Sequence, residues 1–220
     1  NSAVTLGTLN GASTGVLSLD GTTLTLGGGV FAGVLANGTS AGSLVKVSCG
    51  TFSLGGVNTY TGTTLVNAGT LTLGWSLASA SLTVGTLGTL NVLSSGLVPV
   101  GALVELAGGL NLFNSAVTLG TLNGISSGVV TLDGTTLTLG GGVFAGVLAN
   151  GTSAGSLVKV GGATLSLSGI NTYTGTTLVD GGTLTLSGSL ASANLAVGTL
   201  ATMNVTTSGL LPVASLLEVA

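Results

Sequence analysis

Apolar and polar residues alternate in short runs along the whole chain. Val16-Leu17-Ser18-Leu19, Thr23-Leu24-Thr25-Leu26, Leu44-Val45-Lys46-Val47 and Thr51-Phe52-Ser53-Leu54 open the series. Thr63-Thr64-Leu65-Val66, Thr70-Leu71-Thr72-Leu73, Ser81-Leu82-Thr83-Val84, Thr89-Leu90-Asn91-Val92 and Leu103-Val104-Glu105-Leu106 continue it. Period two in runs rich in Thr, Val and Leu predicts half-buried strands, with leucines toward one face and threonines toward the other. Glycine and asparagine punctuate the runs, and Gly27-Gly28-Gly29, Asn37-Gly38 and Asn150-Gly151 suit the positive φ of sharp corners. The strands come in pairs that begin near 16, 44, 63, 81 and 103, and the cycle resumes near 129. About 20 residues per cycle is what one coil of a parallel β-solenoid requires.

A longer period lies over this one. Asn1 through Ala107 recurs as Asn114 through Ala220, and Leu19 to Val47 reappears unchanged as Leu132 to Val160. The predicted organisation is therefore two tandem copies, 1–113 and 114–220, forming one continuous all-β solenoid. Roughly five coils fit each copy, and at ~4.8 Å per coil about ten coils make a rod roughly 50 Å long. Gly96-Leu97-Val98-Pro99-Val100 and Gly209-Leu210-Leu211-Pro212-Val213 are expected to be loops or brief helices that swell one coil.

Other folds fit less well. A transmembrane barrel needs strands of about 9–11 residues, longer than these runs, and no stretch of about 18 residues escapes Gly, Ser or Thr interruption as a spanning helix must. A sandwich or propeller does not require a gapless long repeat with uneven internal ones. The chain is accordingly not expected to span a membrane.

Charge then changes the picture. Only 3% of the 220 residues are Asp, Glu, Lys or Arg, while 45% are hydrophobic. The seven charged residues are Asp20, Lys46, Glu105, Asp133, Lys159, Asp180 and Glu218. A chain with two lysines and no arginine cannot form the basic surface that nucleic acid demands. With no His and no cluster of carboxylates, the parts of metal sites, nucleophilic triads and acid-base pairs are missing. No catalytic, cofactor-binding or metal-binding residue is assigned, and the chain is not expected to be an enzyme. Asp20 and Asp133 precede a glycine and read as turn formers; Lys46 and Lys159 read as solvated or locally paired at a threonine-like strand position. Gly27-Gly28-Gly29 lacks the lysine of a phosphate loop. The lone Cys49 faces Gly162 in the other copy and reads as a small buried or tolerated side chain outside the repeat logic. The sequence starts without Met or a leader pattern, and Asn1 corresponds to an internal Asn114, so a mature or excised piece is expected.

The stretch Gly56-Val57-Asn58-Thr59-Tyr60-Thr61-Gly62-Thr63-Thr64-Leu65-Val66-Asn67-Ala68-Gly69-Thr70-Leu71-Thr72-Leu73 resembles the autotransporter-associated β-strand repeat of bacterial surface passengers. Gly169 through Leu186 resembles it as well, with Asp180-Gly181-Gly182 at the second corner. The resemblance implies a right-handed parallel β-helix displayed outside a bacterial cell, as stalk, adhesin or aggregating surface protein. Independently of the family, Leu65, Val66, Leu71 and Leu73 are expected to stack inward. Tyr60 and Tyr173 are expected to bond corner backbone, and Asn58 and Asn171 to form ladders or caps. Asn37-Gly38-Thr39, Asn150-Gly151-Thr152 and Asn204-Val205-Thr206 match glycosylation sequons, which arise by chance in a Thr/Asn-rich chain and stay unused in a bacterial protein.

The functional expectation is a non-catalytic extracellular structural protein that self-assembles into a fibre, sheath or surface coat. Tandem copies, scarce charge and the lack of a capping segment at either end point that way. Its main partner is then itself, with a cell surface or polysaccharide as a further contact. The alternative is an adhesin or stalk passenger, and a minor one is ice binding through rows such as Thr23-Leu24-Thr25 and Thr70-Leu71-Thr72.

Overall fold

The computed structural model describes residues 2–93, 98–113, 116–206, 209–212 and 216–219. Gly96, Leu97 and Val213 of the two proline segments, and Asn114 at the copy boundary, lie outside the described residues. Among the described residues no helix occurs, and each strand pairs in parallel with a strand one coil away. The fold is a parallel β-solenoid of about ten turns.

Each coil has three sides, so the strands stack into three ladders. Ala3–Thr8, Ser43–Lys46 and Leu103–Leu106 belong to the first ladder; Thr51–Leu54, Gly109–Leu112 and Val129–Thr131 belong to the second. Val16–Ser18, Ser156–Lys159 and Asn194–Val197 belong to the third. Longer strands turn a corner: the start of Thr64–Leu73 lies on the first ladder and its end on the second. The paired strands read from the sequence are the two longer sides. The third side is short in the early coils, where Val34–Ala36 gives way to single residues such as Asn58 opposite Leu77.

Inward residues stack rung upon rung. One column of the first ladder runs Leu6, Leu26, Lys46, Val66, Val84, Leu106, Gly124, Phe144, Leu167, Leu186, Val205. Those rungs bound ten turns. Each leucine fully covered in such a column contributes about 1.5–3 kcal/mol of apolar burial. The step along a ladder is usually 20 residues, as from Thr23 to Ser43. It falls to 18 from Thr64 to Leu82 and rises to 22 from Ser81 to Leu103. That last coil contains Val98-Pro99-Val100, of which Val98 is buried, so the proline segment does enlarge its coil.

Five coils per copy proves too few. Leu26, Lys46, Val66 and Val84 stand on the first ladder, whereas their counterparts Leu139, Lys159, Val179 and Val197 stand on the third. Phe31, Leu54 and Leu73 stand on the second, and their counterparts Phe144, Leu167 and Leu186 on the first. Between Leu103–Leu106 and its successor on the first ladder, residues 121–124, the chain passes Gly109–Leu112 and residues 116–119. A copy thus spans five and two-thirds coils, and each face of the shaft is built from different parts of the two copies.

Candidate functional site

The most elaborate local chemistry sits at the corners of the resembling motif. From Leu26 to Lys46 the coil takes 20 residues, but from Gly29 to Phe52 it takes 23, so the extra residues fall in the corner Val47-Ser48-Cys49-Gly50. Ser48 adopts φ 65°, and its corner turns carbonyls inward. Lys46 follows them. It occupies an inward rung between Leu26 and Val66 and is fully buried, which corrects its expected outward, threonine-like placement. The reason is local: its Nζ donates to the oxygens of Val47 at 2.7 Å, Ser48 at 2.8 Å and Ala68 on the next coil at 3.1 Å. All three ammonium protons therefore have acceptors, which is the condition for burying a cation without a carboxylate.

Lys159 repeats this with Val160, Gly161 and Gly181. Burial pulls both ammonium groups below the usual lysine value. Glycine is required opposite: Gly69 has φ 71°, and a Cβ there would press on the Ser48 and Gly50 oxygens. Cys49, in the same enlarged corner, is exposed rather than buried.

The Asn and Tyr of the motif close the neighbouring corner. Asn58 Oδ1 accepts from the Leu35 N–H of the coil below at 3.1 Å, while its Nδ2 donates to Gly56 O at 2.6 Å. Asn171 does the same with Leu148 and Gly169, so both are corner caps. The tyrosines differ from expectation. Tyr60 Oη pairs with Thr64 Oγ1 at 2.7 Å and Tyr173 with Thr177 at 2.6 Å, all four residues being buried. Their partner is a side-chain hydroxyl, not corner backbone. Because that hydroxyl must lie inside, Thr64 and Val66 point inward and Leu65 points outward, against the expected leucine-in, threonine-out rule. Burial pushes both phenols far above their ordinary value, with the threonine bond opposing it.

The aspartates are corner residues. Asp20, at φ 41°, accepts from Thr39 N–H, Thr39 Oγ1 and Ser40 N–H on the next coil, and Asp133 accepts from Thr152 and Ser153. These bonds hold both carboxyls below the ordinary carboxylate range. The sequon Asn37 is engaged as well, its Nδ2 donating to Thr61 Oγ1 at 2.9 Å and its Oδ1 accepting from Gly42 and Thr61. Among the described residues, no buried side-chain polar atom lacks a partner and no three His, Cys, Asp or Glu side chains gather. None of their helices is long and apolar enough to cross a membrane. The motif residues spend their polar groups on holding coils together.

The two motif stretches coincide with a known family. Its model, the passenger-associated-transport-repeat, matches residues 44–73 and 157–186. The chain carries two passenger-associated-transport-repeats. Each repeat begins just before a buried lysine and contains the Asn cap, the Tyr-Thr pair and the glycine opposite the lysine cage. Such a repeat implies an autotransporter passenger-type protein built as a β-helix, in agreement with the ladders. No curated protein and no solved structure shows significant similarity to the chain.

Proposed function

We propose that the chain is a non-catalytic shaft, displayed outside a bacterial cell, that associates with its own kind into a fibre, sheath or coat. One observation carries this reading: the outside of the rod is almost without charge. Both lysine ammoniums are consumed inside the wall, which leaves five carboxylates over 8974 Å² of surface. Like shafts therefore repel one another weakly, and apolar side chains such as Leu87, Leu200, Val30 and Val143 stand exposed. Inside, the capped corners and unbroken columns provide stiffness and no reactive group.

Electron microscopy and sedimentation of the purified chain test the proposal. Concentration-dependent filaments or bundles are expected, and a monodisperse monomer at high concentration refutes self-assembly.

A stalk or adhesin role is the second reading, favoured by the two passenger repeats themselves. Loss of cell attachment on deletion, without filaments in the wild type, would select it. Ice binding finds little footing, because the outward column through Thr25 continues as Val45 and Leu65. The column through Thr70 joins Thr51 and Thr89 and then meets Gly109. Thermal hysteresis near zero is expected.

A further inference from the structure

The remainder of two-thirds of a coil decides how repeated surface features are arranged around the shaft. Val30 and Val143 are counterparts, both exposed and both outward. Val30 stands on the second ladder, in the column Val30, Ser53, Thr72, Asn91, Asn111, Thr131. Val143 stands on the first, beside Ser166 and Thr185. Neither valine is ever above the other. Leu87 and Leu200 are separated in the same way: Leu87 sits at the corner between first and second ladders, next to Ala68, and Leu200 just before residues 201–205 at the corner between third and first.

A period of a whole number of coils would align every such pair in one sticky stripe, and a stripe zips rods into flat ribbons. With two-thirds left over, each further copy turns by one face, and about 27 Å of rise separates it from its predecessor at ~4.8 Å per coil. Three copies, or seventeen coils, are needed to bring a residue back to the same face.

We infer that this incommensurate period distributes the self-association surface over all three sides of the shaft, so that a second copy of this chain is met from three directions. The inference rests on the proposed self-association. The occupant follows from the surface: with no exposed cation to hold an anionic polymer and little charge to repel a like rod, the apolar residues reproduced by both copies fit another shaft. Contacts between non-equivalent patches related by a screw do not close, so they generate open assemblies that extend laterally.

Two measurements in a Cys49→Ser background separate this inference from the reading beneath it. Spin labels at Val30 and Thr131, five rungs apart in one column, are expected about 24 Å apart. Labels at Val30 and Val143 are expected at least about 5 Å further, although the added rise is only about 3 Å, because they leave from different sides. Separations within about 3 Å of each other overturn the rotated display.

Single cysteines replacing Val16, Val30 or Val143 then place one thiol on each of the three ladders, all at exposed sites. A short bis-maleimide is expected to link chains at all three with yields within about twofold. Linking at one site alone overturns the three-directional inference and sustains self-association; linking at none overturns both.

Discussion

Val4 and Val117 are the same residue in the same sequence context, yet Val4 is 44% exposed and Val117 6%. Val92 and Val205 make the opposite pair, 0% and 44%. In this chain Val117 lies between the coils on either side of it, whereas Val4 has a coil on one side only. The same contrast holds for Leu6 against Leu119 and Leu9 against Leu122. Local sequence therefore sets which way a side chain points, and the neighbouring coil sets what that is worth. Solenoid stability is a sum over such interfaces.

The sharpest way to break the comparison is to truncate both members of a pair. Leu119→Ala is expected to cost about 3 kcal/mol, while Leu6→Ala, half-covered, costs about 1 kcal/mol. Urea denaturation of the two variants checks this, and equal costs would mean that coverage does not set the energy.

The corners behave differently, because both copies have them covered. Gly69→Ala and Gly182→Ala each force an L-residue into positive φ against carbonyl oxygens and are expected to lose about 2–3 kcal/mol, equally in the two copies. Lys46→Met and Lys159→Met leave three inward carbonyls without donors, an expected net loss of about 1–3 kcal/mol, since relief of ammonium burial offsets part of it. A lysine variant that stabilised the chain would assign the cage no structural role.

The smallest effect is on the phenols. Tyr60→Phe and Tyr173→Phe orphan one threonine hydroxyl each, for about 1 kcal/mol. Their raised pKa also gives a pH signature. The folded chain keeps both protons, so this contribution is full below the ordinary tyrosine value near 10 and is lost as pH rises above it. Since these are the chain's two tyrosines, absorbance at 295 nm is expected to stay flat at pH 11 and to rise only with unfolding. Stepwise ionisation of the native chain would contradict their burial.

Much of this was legible in the sequence. Alternation located most strands, Gly-Gly and Asn-Gly marked corners, and the Asn-x-Tyr-x-Gly pattern identified the repeat that the family model matches. Thr64 misled because a buried threonine beside leucines carries no signature until Tyr60 is seen to reach it. Lys46 misled because its acceptors are backbone carbonyls, and backbone carries no residue identity. The two-thirds coil was within reach, since the copy length divided by the coil length leaves that remainder. It was hidden because the short third side of each coil barely alternates.

Sequence alone determined a parallel, stacked, nearly uncharged architecture, for period-two patterning and tandem repetition are local properties that survive in any context. Only the tertiary structure decided which face each copy occupies, which leucines are covered and where a cation is buried. Those outcomes depend on what lies one coil away, some 18 to 23 residues along the chain, where the winding and not the local pattern chooses the neighbour.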